Sequence, residues 1–166
     1  MTPTTTSTPT PLIRSAGEGA RRWFFGGGVL TWKASPEETG GAFMLWEARM
    51  DHGKVTPLHI HPDSDETFYL LEGEILVHLD GVEHQVGAGG LMFAPRGVPH
   101  AFMVVSPMAR LLSMHTPGCC EQFYIDASVP LAPGEAAGEV DFTRVHRSAE
   151  KNTGIEILGP PPFATA

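Results

Sequence analysis

Glycine and proline punctuate this chain so densely that long helices have little room to form. There are 19 Gly and 15 Pro in 166 residues, and both residue types weaken helical runs and favour turns. The segments between them are short and rich in β-formers. In "GAFMLWEARM", Met44, Trp46, Ala48 and Met50 share one face at period two, with Glu47 and Arg49 on the other. "ETFYLLEG" and "EILVHLDG" read as two strands joined as a hairpin at Gly73, and Asp80-Gly81 marks a tight turn. "LMFAP" and "HAFMVV" follow, broken by the "PRGVP" turn, and "RLLSMHT" (Arg110–Thr116) adds another strand. Between Gly41 and Thr116 this makes roughly seven or eight short strands at ~8–12-residue spacing, the signature of an all-β sandwich or barrel.

The pattern changes after Pro117. "EQFYIDAS" (Glu121–Ser128) predicts a short helix anchored by Phe123 and Tyr124 and stopped by Pro130. "DFTRVHRSAEKNTG" predicts a second, with Asp141 as its cap and Gly154 as its end. These helices are expected to pack on the outside of the β domain. The N-terminal "MTPTTTSTPTP" has too little apolar surface to offset its ordering entropy and predicts a disordered leader over residues 1–11. It has neither the apolar core nor the basic flank of a secretory signal. Residues 12–166 are expected to form one domain, with a C-terminal helical extension over 119–158.

Charge narrows the partners. With 11 basic and 19 acidic residues, the formal charge is -8, which argues against nucleic acid and anionic membrane. No run of about 18 apolar residues predicts a membrane span. The two cysteines, Cys119 and Cys120, are adjacent and provide no framework of spaced pairs. A cytoplasmic protein held by its core is expected.

Chemistry is concentrated in "GKVTPLHIHPDSDETFYLLEG", Gly53 to Gly73. Residues i and i+2 of a strand share a face, so His59 and His61 point the same way. Pro62 ends the strand in the polar turn "PDSD", and Glu66 opens the next. A turn returning Glu66 to the histidines would gather two imidazoles and a carboxylate, donors suited to zinc, iron, manganese, nickel or copper. A fourth candidate, His100, begins a strand on the same face as apolar Phe102 and Val104, where a histidine needs a partner or a metal. The other histidines read blandly: His78 and His84 flank a turn, His52 precedes Gly53, and His146 lies on a polar helix. His115 ends a strand before Pro117 and could approach a barrel mouth. The seven methionines read as core filling rather than a thioether copper site.

The spacing as a whole resembles the cupin superfamily. Gly53, five residues, His59-x-His61, four residues, Glu66, six residues and Gly73 match its first motif. Gly89, five residues, Pro95-x-Gly97, two residues and His100 match its second. The resemblance implies a small jelly-roll β-barrel with motifs over 53–104 and short peripheral helices in its C-terminal region. It implies His59, His61, Glu66 and His100 as ligands of one divalent Fe, Mn, Ni, Co, Cu or Zn ion, with the glycines and Pro95 shaping turns. One departure is Val104, where the second motif often carries asparagine; this suggests a drier pocket and an aromatic or apolar substrate.

The blocks "HIHPDSDETFYLLEGEI" and "FAPRGVPHAF" and the tail "GCCEQFYID…GIEILGPPP" are similar to the quercetin 2,3-dioxygenase-like cupins. That similarity implies a homodimeric dioxygenase that cleaves a flavonol or related enolisable aromatic with O2. Glu66 would be ligand, catalytic base, or both. Strand parity names Phe68, Phe102 and Val104 for the substrate wall, with Met44, Trp46 and Met50 as further candidates. Two other readings stay open: a metal-dependent isomerase, lyase or hydrolase without O2, and a small-molecule-binding protein without turnover.

Overall fold

The computed structural model describes residues 7–164. Among the described residues the strands are β1 (Arg21–Phe24), β2 (Val29–Ala34), β3 (Met44–Asp51), β4 (Leu58–Ile60), β5 (Asp65–Glu72), β6 (Glu74–Leu79), β7 (Val82–Gly87), β8 (Leu91–Ala94), β9 (His100–Val104), β10 (Met108–Thr116), β11 (Ser128–Pro130) and β12 (Glu156–Gly159). The helices are α1 (Glu121–Asp126) and α2 (Phe142–Lys151). One antiparallel sheet runs β11-β1-β2-β3-β10-β5-β8 and the other β12-β4-β9-β6-β7. These are the two packed layers of a jelly roll, and no described strand pairing closes them into a continuous barrel.

The alternation expected of β3 is present, with Met44, Trp46, Ala48 and Met50 buried. The Asp80-Gly81 turn joins β6 to β7 with positive φ at both residues, 48° and 83°, the backbone of a primed two-residue turn. The expected hairpin at Gly73 does not form. β5 pairs with β10 and β8, whereas β6 pairs with β7 and β9. A single residue cannot close a two-strand loop, so Gly73 instead carries the chain from one sheet to the other. Its φ is 78°, and a Cβ there would collide with the Met108 carbonyl oxygen. This corner sets β5 opposite β9, where the Phe68 and Phe102 rings meet edge-on at 5.2 Å.

An aromatic cluster seals one end of the core. Trp46 lies 4.3 Å from Tyr124 and 5.7 Å from Trp32, and Phe24 touches both Phe123 and Tyr124. Such pairs add about 0.5–1.5 kcal/mol each beyond their area burial. The C-terminal helices pack on the outside of the sheets as expected, and the extension gives Phe123, Tyr124, Val145 and Ile155 to the buried cluster. α2 begins at Asp141, whose side chain accepts from the Arg144 amide, and ends with Asn152 as its C-cap, two residues before Gly154.

Residues 1–6 of the expected leader lie outside the described residues. Residues beyond them run along the loop between β2 and β3. The Ser7 hydroxyl donates to the Glu37 carbonyl at 2.6 Å, the Thr10 amide to that of Glu38 at 2.9 Å, and the Arg14 guanidinium binds the Glu38 carboxylate at 2.6 and 3.0 Å. No helix among the described residues is long and apolar enough to cross a membrane.

Candidate metal centre

His59 sits on β4 directly opposite His100 on β9, and β12 covers the other edge of β4, with Ile157 opposite His59. His61 follows β4 by one residue and keeps the same parity. Glu66 comes from the facing sheet, on β5 between Ala94 of β8 and His115 of β10. The cluster thus spans both sheets. All four side chains are buried, at 6%, 1%, 3% and 2% exposure for His59, His61, Glu66 and His100. Their donor atoms lie within 4.8 Å of one another.

The hydrogen bonds fix which nitrogen each ring offers. Nδ1 of His59, His61 and His100 lies 2.8 Å from the carbonyl oxygen of Pro57, Gly154 and Val98 respectively. A carbonyl only accepts, so each Nδ1 must carry a proton and donate. In a neutral ring, Nε2 is then a lone pair turned inward, the arrangement that outer hydrogen bonds impose on metal-binding histidines. His61 Nε2 is buried without a hydrogen-bond partner, a deficit worth about 1–3 kcal/mol when nothing satisfies it. Glu66 Oε2 stands 2.8 Å from His100 Nε2 and 3.3 Å from His61 Nε2. Lone pairs and a carboxylate crowded together need a positive charge among them, and a divalent cation fits that requirement.

Electrostatics agree. Burial pushes the Glu66 carboxyl up, but His115 and His61 nearby and the hydrogen bonds from His100 and His115 hold it well below the usual carboxylate range. Burial drives His59 well below the ordinary histidine value, with His100 and His61 adding to the effect. Burial also lowers His100, yet Glu66 outweighs it and the net shift is upward.

Further contributors surround the four donors, and of these the sequence points only to His115, as a residue that could approach a barrel mouth. Glu66 Oε1 accepts from Ser113 Oγ at 3.3 Å and faces His115 Nε2 at 3.0 Å. His115 is fully buried, stacks on Trp46 at 5.1 Å and meets Tyr124 OH at 3.3 Å and Ser64 Oγ at 3.3 Å. The alternation of β10 carries the signal, because Ala109, Leu111, Ser113 and His115 share its buried face. The bland readings hold for exposed His52, His84 and His146.

From the cluster an apolar cavity of about 70 Å³ leads outward. Of the parity-assigned wall, Phe68, Phe102, Trp46 and Met50 line it. Met44 and Val104, expected on the same wall, do not line this cavity; both are fully buried in the core. Met44 lies across from His115, and Val104 is at the far end of β9 from His100. The drier pocket expected from Val104 therefore has no basis in that residue; the apolar lining comes from elsewhere, including Phe24, Phe123 and Ile155.

Residues 46–114 match the family model described as Cupin domain. Quercetin 2,3-dioxygenase of Bacillus subtilis (strain 168) is 32% identical over 114 residues, 69% of this chain and 34% of that protein. The chain thus spans 34% of the length of that relative. An uncharacterized protein of Methanocaldococcus jannaschii is 39% identical over 56 residues, 34% of this chain and 45% of that one. Among solved structures, a predicted oxalate decarboxylase from Thermotoga maritima has a TM-score of 0.58 at 21% identity, covering 64% of this chain and 99% of that one. An RmlC-like cupin from Shewanella frigidimarina has a TM-score of 0.56 at 23% identity, covering 66% and 95%. At that identity the two structures speak to the fold, which they share with the two-sheet architecture described above. By its match over residues 46–114, with a two-sheet fold that agrees, this chain contains a cupin domain.

Proposed function

We propose that the chain is a metal-dependent dioxygenase that opens an enolisable aromatic substrate of flavonol type with O2. The observation that carries this reading is the set of three Nδ1-pinned imidazoles converging with Glu66 at the floor of an apolar cavity. His59, His61, Glu66 and His100 would hold one divalent Fe, Mn, Ni, Co, Cu or Zn ion. When bound, that ion supplies Lewis acidity and open coordination positions for substrate oxygen and O2. Similarity to the Bacillus subtilis dioxygenase supports the choice of reaction class.

The chain's own residues divide the remaining work. Glu66 is held ionised, so it is in the form that accepts a proton from a substrate hydroxyl. Ser113 and His115 fix its Oε1 and leave Oε2 toward the donor rings. Phe68, Phe102 and Trp46 exclude water and offer ring faces to an aromatic substrate. Ring opening would break two carbon–carbon bonds, add both oxygen atoms to the product and release carbon monoxide. The homodimer and the cytoplasmic location are part of the same proposal, the former checked by light scattering.

Cavity size favours a second reading. About 70 Å³ is well below the ~300–1,000 Å³ of drug-sized ligand pockets, so a flavonol requires the mouth to open. A smaller substrate of a metal-dependent isomerase or lyase would fit with less movement. The deciding experiment is elemental analysis of the purified protein, then incubation with a flavonol in air and under nitrogen. Aerobic loss of flavonol absorbance with carbon monoxide release supports the dioxygenase. Equal turnover without oxygen overturns it in favour of the second reading.

A further inference from the structure

One side chain in the cavity is used by neither the metal cluster nor the proposed oxygen chemistry. Lys54, between β3 and β4, lines the same cavity as His59 and Glu66. Its Nζ stands 5.3 Å from the Phe24 ring centroid and 5.6 Å from that of Phe102, and donates to the Val55 carbonyl at 3.2 Å. An ammonium has three protons to donate, and this contact engages one. Among the described residues no carboxylate pairs with it. A half-buried lysine set between phenyl rings without a counter-ion is uncommon, because burying a charge is costly unless it is paired. The chain as a whole is acidic, at -8, so this cation is a local exception inside an aromatic cleft.

We propose that Lys54 is a specificity residue that receives the carboxylate of an aromatic acid, with the ligand's ring between Phe24 and Phe102 and its other end toward Glu66. The inference rests on the cavity being the substrate site, and it narrows the substrate class. Lys54 and the donor cluster line the same cavity, so a ligand whose acid group sits on Lys54 places its other end toward Glu66. Burial lowers the Lys54 pKa to about 7, so the ammonium is present below that pH and lost above it. An ordinary phenol, at ~10, stays neutral over the range in which Lys54 is charged, whereas a carboxylic acid, at ~4, is ionised. The carboxylate is therefore the matching partner.

The test is calorimetric titration of the metal-loaded protein under nitrogen with 2-naphthoate and with its methyl ester, at about pH 6, where both Lys54 and the acid are charged. The acid should bind about tenfold more tightly than the ester, the size expected of a charge-assisted contact. Lys54→Met should abolish that preference while leaving the ester within about threefold, and Lys54→Arg should retain most of it. Raising the pH to about 8.5 should weaken acid binding and spare the ester, because Lys54 is deprotonated there. Elemental analysis and circular dichroism check that the variants keep metal and fold. Equal binding of acid and ester, no binding of either, or a preference that survives in Lys54→Met overturns the proposal. If the methionine variant does not fold, a preference that is constant across the pH range overturns it instead. Because turnover is silent under nitrogen, naphthoate binding through Lys54 in a chain that never consumes O2 would sink the dioxygenase reading and leave this one standing.

Discussion

His61 stands between two groups of donors. On one side are His59, Glu66 and His100; on the other are His115 and Cys120. Both groups are buried and both are compact enough for a cation, yet their protons are arranged differently. In the first, backbone carbonyls take the Nδ1 protons and turn each Nε2 into the cluster, that of His61 unpartnered and that of His100 against Glu66 Oε2. In the second, His115 Nε2 faces the acceptor-only Glu66 carboxylate, so it must donate, and Nδ1 is left to accept from Ser64. Burial holds His115 toward its neutral form and pushes the Cys120 thiol well above its usual value. To ligate, the thiol would have to lose its proton and the His115 ring would have to give up its contact with Glu66. Proximity alone therefore does not make a metal site; the second group orients Glu66 for the first.

That contrast can be broken in steps. The largest effect is expected from His100→Ala, which should take bound metal from about one per chain to under a tenth by elemental analysis, since a ligand and the partner of Glu66 Oε2 both go. Full occupancy in that variant would mean His100 is not a ligand. His115→Ala should keep the metal under saturating conditions but weaken its affinity about 10–100-fold, the usual consequence of losing an outer-shell partner. Complete metal loss would put His115 in the ligand set instead. Ser113→Ala removes a single 3.3 Å contact to Glu66 and should lower metal affinity only a few-fold, with a stability loss of about 0.5–1.5 kcal/mol in a denaturant titration. Cys120→Ser should leave metal content and affinity unchanged within error, and any large drop would argue for a sulfur ligand.

Much of the first group is legible in the sequence because its geometry is local. His59 and His61 share a face by strand parity, and Glu66 follows after a short turn. His100 needed the second motif, yet it too is read from its own strand. The outer supports resist that kind of reading. Gly154 holds His61 through a backbone carbonyl 93 positions away, and a carbonyl has no residue identity to recognise. Gly73 resembles a hairpin residue but turns the chain between sheets, a distinction set by long-range pairing of β5 with β10. Parity correctly brings Phe68, Phe102, Trp46 and Met50 to the cavity, yet it cannot say how far along a buried face the cavity extends, which is why Met44 and Val104 fall outside it.

The most direct test of the contrast is X-ray absorption at the edge of the metal that the protein binds as isolated. One metal per chain with only nitrogen and oxygen in the first shell, at about 2.0–2.2 Å and with imidazole scattering beyond, is the expected spectrum. A sulfur shell at about 2.3 Å, or a second metal per chain, would show that the group around His115 and Cys120 binds metal and would contradict the division of roles drawn here.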